Sequence, residues 1–391
     1  MLNTSLSPWP SFTQEEADAV SKVLLSNKVN YWTGTECREF EKEFAAFVGT
    51  QYAVALSNGT LALDVALKAM GIGQGDDVIV TSRTFLASAS CIVTAGANPV
   101  FADVDLNSQN ISSETIKAAL TPNTKAIIVV HLAGMPAEMD GIMDLAKEHD
   151  LWVIEDCAQA HGAKYKGKSV GSIGHVGAWS FCQDKIMTTG GEGGMVTTND
   201  KELWRKMWSY KDHGKSYDAV YHREHAPGFR WLHESFGTNW RMMEIQAVIG
   251  HIQLKRMPEW TARRQAHAAK LAESLGQFAS IRLVEVADYI EHAQYKFYAF
   301  VKPEHLKEGW TRDRIVNELN ARKVPCYQGS CSEVYLEKAF DNTPWRPKER
   351  LKNAVELGDT SLMFLVHPTL TDEEIAFCKE NIEAVLTEAT A

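Results

Sequence analysis

The chain has 391 residues, 45% hydrophobic and 23% charged, the balance of an ordinary globular enzyme or binding protein. Its formal net charge of −10, with no long run of either sign, argues against a nucleic-acid surface. Seven scattered cysteines without a CxxC pair offer no zinc site and read as reduced thiols in a cytoplasmic chain. No window approaches ~18 uninterrupted apolar residues, so no membrane span is expected, and MLNTSLSPWPSFTQEE lacks the basic flank and apolar core of a signal peptide.

Residues 1–12, with two prolines, read as an extended arm. Thr13 before QEEADAVSKVLLSN predicts a capped helix, and CREFEKEFAAFVG has helical spacing at Phe40, Phe44 and Phe47. Tyr52–Leu56 is a short apolar strand, broken by Ser57-Asn58-Gly59-Thr60 before a helix that ends at Gly71. A strand at Asp77–Val80, a helix with Phe85 near its start, strands at 99–104 and 126–130, a helix over 138–149 and the strand LWVIED follow. Such alternation means a mostly parallel, doubly wound sheet, whose ligands bind at the carboxyl ends of its strands. Gly59, Phe85, Asp156 and Lys185 all fall at or just after such ends. Residues 215–238 show no period and read as a loop; TNWRMMEIQAVIGHIQLKRM is a long helical pattern. The domain boundary is placed at Pro258. This gives an arm and large α/β domain over 1–257 and a small α+β domain over 258–391, with strands near 281–286 and 294–302 and helices over 311–322 and from Thr371.

The stretch VGAWSFCQDKIMTTGGEGGMVTT (176–198) carries the central chemistry. A lysine on a turn between two buried strands is an unusual place for an ammonium, and a neutral amine in a closed pocket is what Schiff-base formation with a carbonyl needs. Taken singly, Lys185 reads as an ordinary hairpin lysine, Ser57–Thr60 as an ordinary helix start and Phe85 as a core ring. Together they offer more. The strand–turn–helix at Gly59 and Thr60 is a ready phosphate site that Ser180 can join. Phe85 can stack on a heterocycle. Asp156, ending a buried strand, needs a cationic partner such as a protonated pyridine nitrogen, and Gln159 offers an amide to a ring substituent. An anion site, a stacking ring, a buried carboxylate and a reactive lysine suggest pyridoxal 5′-phosphate (PLP).

SNGTLALDVALKAMGIGQGDDVIV, TFLASA, VIEDCAQAHGA, the SF…K…TTGGEGGMV stretch and TNWRMMEIQAVIG together resemble the DegT/DnrJ/EryC1/StrS family, in order, from about residue 10 to HPTLT near 367–371. Its members are fold-type I PLP-dependent sugar aminotransferases. The resemblance implies that Lys185 forms the internal aldimine and shuttles protons. It implies that Asp156 pairs with the pyridine nitrogen, that Gln159 contacts the ring-hydroxyl side, and that Phe85 stacks on the ring. Gly59, Thr60 and Ser180 would bind the phosphate, completed by Asn239 of a second subunit, hence a homodimer with shared sites. Glutamate would give the amine and a keto sugar, nucleotide-linked, would receive it. A cyclitol ketone on the same fold is an alternative acceptor, a non-catalytic PLP-binding sensor an alternative role, and Lys185 argues against a dehydratase, in which histidine replaces it. On the substrate side stand Trp32, His213, Arg241, Tyr327 and His367, with Tyr31 and His161 weaker candidates. Two departures are visible: an additional glycine before GEGG, and RKVPCYQGSCSEVY (322–335) where many members carry a histidine-containing segment.

Overall fold

Apolar strands that read as continuous hydrophobic runs need cover on both faces, and the chain supplies it with alternating helices. The structure, a computed structural model, describes residues 6–228 and 230–391. A seven-stranded sheet runs, in spatial order, Tyr52–Leu56, Gly194–Thr198, Val176–Ser180, Trp152–Asp156, Thr124–Val130, Asp77–Thr81 and Asn98–Ala102. Only Gly194–Thr198 runs against the others, pairing antiparallel with both its neighbours. The remaining pairings are parallel, so the carboxyl ends of six strands meet along one edge.

Helices form where the sequence places them, with local reasons. Glu16 accepts from both the backbone N–H and the hydroxyl of Thr13, capping Gln14–Leu25. Thr371 caps the last helix, Asp372–Ala389, by accepting the Glu374 N–H while its own N–H donates to the Glu374 carboxylate. Three boundaries differ from expectation. The helix after Asp77–Thr81 begins at Ala87, which leaves Phe85 in the preceding turn. The expected loop 215–238 contains a short helix, Tyr217–Tyr221, capped by Ser216. Pro258 lies inside one 32-residue helix, Glu244–Leu275. The chain thus passes from the large sheet towards a second, four-stranded sheet (Ile281–Leu283, Phe297–Val301, Ser361–Phe364, Cys326–Tyr327) through a continuous rod.

A third sheet, of three short strands, ties Ile290–Glu291 to Lys164–Tyr165, and the latter to Lys168–Ser169. Residues 1–5 of the expected arm lie outside the described residues; residues 6–12 have no helix or strand. Ser7 of this arm bonds Glu374, and the indole of Trp9 packs edge-on against Trp260. No helix among the described residues is long and apolar enough to cross a membrane.

Candidate active site

The strand ends enclose a cavity of about 550 Å³, walled by the turns that follow Leu56, Thr81, Asp156 and Ser180. It brings together Gly59, Thr60, Phe85, Asp156, Gln159, Ser180 and Lys185, residues up to 126 positions apart in sequence.

At one end the helix Gly59–Ala69 opens onto the cavity. Asn58 caps it by accepting from the Leu61 N–H at 3.0 Å. The N–H groups of Gly59 and Thr60 have no partner in a preceding turn, and the helix dipole adds partial positive charge there. A Cβ on Gly59 would sit 2.5 Å from the Ser180 Cβ, so glycine is what lets the Ser180 side chain stand against the helix start.

Lys185 sits in the connection between Val176–Ser180 and Gly194–Thr198. Its N–H bonds Cys182 O, and its own carbonyl accepts the Trp9 indole N–H at 2.9 Å, so the arm clamps the lysine's backbone. Thr188 and Thr189 both donate to the Phe181 carbonyl, tightening the loop. Gly190 and Gly191, at φ 86° and 115°, then turn the chain through a region that side chains avoid; the additional glycine of this stretch is spent here. The Lys185 ammonium lies 3.8 Å from Asp184 and 5.2 Å from the centre of the Tyr295 ring.

Asp156 is buried. Its Oδ2 accepts the Ser88 hydroxyl at 2.8 Å and its Oδ1 the Ala158 N–H at 3.1 Å; no cation among the described residues lies within ion-pair distance. Burial pushes its pKa up, and the bonds from Ser88 and Ala158 with the charge of Lys185 only partly offset that. The Gln159 side-chain carbonyl is occupied by the Ala133 N–H at 2.8 Å, leaving its NH₂ to donate. Phe85 presents an exposed ring, 71% accessible, in the cavity wall. This donor set fits a phosphorylated pyridine aldehyde: an anion site at one end, an amine, an aromatic face, and a buried carboxylate in want of a cation.

The other candidates lie elsewhere. Asn239 is exposed and pairs in a bridge with Asp212, outside the cavity wall. Arg241 is ion-paired to Asp212 at 2.8 Å, the Lys215 ammonium stands over the Trp32 ring, Lys211 stands over Tyr31, and His213 is exposed at a positive φ. Tyr327 packs beside Leu365 and Leu370, and His367 stacks on Trp9. His161 is buried among Phe44, Trp179 and Phe181, its ring nitrogens unpartnered and its pKa driven down to about 3 by burial. Segment 322–335 crosses beside the cavity: Thr84 donates to Cys331 O, and Val334 to Ser82 O. Sequence reasoning did not single out Ser88 or Tyr295. Ser88 had only a faint signal, a hydroxyl on the buried side of a mostly apolar helix that also carries Ser90 and Thr94; Tyr295, in the distant small sheet's approach, had none.

A doubly wound sheet whose strand ends face a lysine and a buried carboxylate across one cavity defines the aminotransferase class of fold type I. The chain belongs to the DegT/DnrJ/EryC1/StrS aminotransferase family, whose profile matches residues 10–383. It is similar to a crystallised aminotransferase from Psychrobacter cryohalolentis, with 64% identity, a TM-score of 0.96 and coverage of 98% of this chain and 99% of that one. GDP-perosamine synthase from Caulobacter vibrioides is 41% identical, over 86% of each chain. A putative sugar aminotransferase from Streptococcus pneumoniae, solved in a PLP form, is 25% identical with a TM-score of 0.86 over 99% of each chain.

Proposed function

We propose that this chain transfers an amino group from an amino acid, L-glutamate, to a keto sugar carried on a nucleotide, using PLP held in the 550 Å³ cavity. The observation that carries the reading is the pairing of Lys185 with Asp156 in that one cavity, beside a helix start suited to phosphate. When bound, PLP supplies the electron sink that stabilises negative charge on the carbon losing its proton. Everything else falls to the chain. Gly59, Thr60 and Ser180 hold the phosphate, Phe85 covers a ring face, and the Gln159 NH₂ donates to the ring oxygen. Asp156 keeps a proton at the ring nitrogen; the same burial that makes its lone charge costly strengthens its pairing with a cation. Lys185 Nζ takes the proton from the substrate carbon and returns it to the cofactor carbon.

Asn239 completes the phosphate site of a second copy in a homodimer. Its own exposure supports this, as do the rings of Trp231 (90% accessible) and Phe236 (100%) in the preceding loop, apolar surface that an interface would cover. All seven cysteines are free, which suits a reducing, cytoplasmic compartment.

The test is direct. Purified protein with PLP should show visible absorbance, borohydride should fix the label at Lys185, and Lys185→Ala should lose both, with turnover falling by at least about 10⁴-fold. Glutamate with a panel of nucleotide-linked keto sugars then identifies the acceptor. Colourless wild-type protein, or a Lys185→Ala variant that still turns over, sinks the proposal.

A further inference from the structure

Lys185 has a second amine for a neighbour. Lys296 Nζ lies 4.8 Å from the centre of the Tyr295 ring, the same ring that stands 5.2 Å from Lys185 Nζ. The Tyr295 hydroxyl donates to Asp184, whose other oxygen faces Lys185. The Tyr295 ring therefore lies within about 5 Å of two ammonium groups, with one carboxylate bonded to its hydroxyl. Lys296 keeps some accessible surface yet is crowded by protein on nearly all sides. It makes no hydrogen bond or ion pair within the described residues. Burial lowers its pKa to about 8, opposed by Asp184 and assisted by Arg264 and Lys185.

Behind it stands Arg264, 1% exposed on the long helix. One of its nitrogens reaches the Tyr295 carbonyl at 3.3 Å; Nε and the other terminal nitrogen have no partner, and no carboxylate among the described residues pairs with it. Its guanidinium lies 4.9 Å from the Trp9 ring centre, under the arm that also clamps Lys185. Lys185 and Lys296 thus share a single carboxylate, Asp184, while Arg264 has none among the described residues. Buried cations in excess are costly unless an anion completes them.

We propose that Lys296, backed by the positive potential of Arg264, receives the α-carboxylate of the amino donor. This rests on the aminotransferase reading and adds to it the residue that recognises the donor. The position favours a carboxylate over a sugar diphosphate. An amino acid carries its carboxylate on the very carbon whose proton Lys185 must reach, so its counter-cation has to stand close to that lysine. A diphosphate is held off from the reacting carbon by the width of a sugar ring.

Lys296→Met removes the charge, keeps the length of the side chain, and leaves the fold no unpaired buried ammonium. The dissociation constant of L-glutamate, from the change in cofactor absorbance in single turnovers, should rise about 10- to 100-fold in Lys296→Met, the loss expected for one charge-assisted hydrogen bond. Lys296→Arg should recover most of it, and the PLP dissociation constant should stay at the wild-type value in both. Unchanged glutamate binding in Lys296→Met overturns the proposal while leaving the aminotransferase reading intact. So does a variant that instead weakens UDP or GDP, which would assign the site to the sugar nucleotide. Wild-type protein that binds PLP but changes with no amino acid overturns both.

Discussion

Glu155 and Asp156 are neighbours on one strand, both buried, and their carboxyl groups live in opposite worlds. Glu155 accepts four hydrogen bonds, from His131 Nε2 at 3.0 Å and from the N–H groups of Gly171, Ile173 and Gly174. Burial alone would raise its pKa, but these bonds outweigh it and hold the group below the ordinary carboxylate value. Asp156 receives two bonds and no close cation, and burial wins. Successive residues of a strand point to opposite faces. One face gives a carboxylate that pins a loop; the other gives one with no cation of the described residues within ion-pair distance. His131, Glu155 and Cys157 bring ligand-type atoms within 4.8 Å of one another, yet both Glu155 oxygens already accept two donors each, so the group is complete as a structural lock.

The contrast can be broken at either residue. Glu155→Gln puts an NH₂ against N–H donors and should cost about 3–5 kcal/mol of stability, read as a lower urea midpoint with unchanged slope. Asp156→Asn should do the reverse: stability within about 1 kcal/mol of wild type, because a costly buried charge is gone, but turnover down by about 10²- to 10³-fold. Unfolding of the cofactor-free protein between pH 3 and 7 sharpens the comparison. The depressed folded pKa of Glu155 means its stabilisation is present above the unfolded value of about 4.3 and is lost as pH falls through the folded value. The raised pKa of Asp156 has the opposite sign: stability is lost as pH rises from the unfolded value of about 3.9 through the folded one. Each variant should flatten only its own slope. The smallest effect is expected at Phe85, whose exposed ring contributes little to the core: Phe85→Ala should weaken PLP binding about 3- to 10-fold, the worth of one aromatic stack, with stability shifted by less than about 0.5 kcal/mol.

Much of this was legible in the residues. The alternation of apolar strands and helices announced a doubly wound sheet, and the strand-end positions of Gly59, Phe85, Asp156 and Lys185 marked one cavity edge. Those features are local, written in period and in turn chemistry. The helical patterns on either side of Pro258 join into one rod, Glu244–Leu275, with Met257, Trp260 and Arg264 all buried, and period alone does not say whether two adjoining helical stretches are continuous. The three-stranded sheet was invisible because two-residue strands carry no period.

The sequence by itself determined which residue types stand at the strand ends, because hydrophobic pattern and helix-start chemistry are properties of neighbours along the chain. Only the tertiary structure decided what meets them there. Trp9, Tyr295, Lys296 and Arg264 come to Lys185 from three distant segments. No spacing records that meeting, since it is fixed by how the arm, the long helix and the small sheet pack and by which buried charges are thereby left without partners.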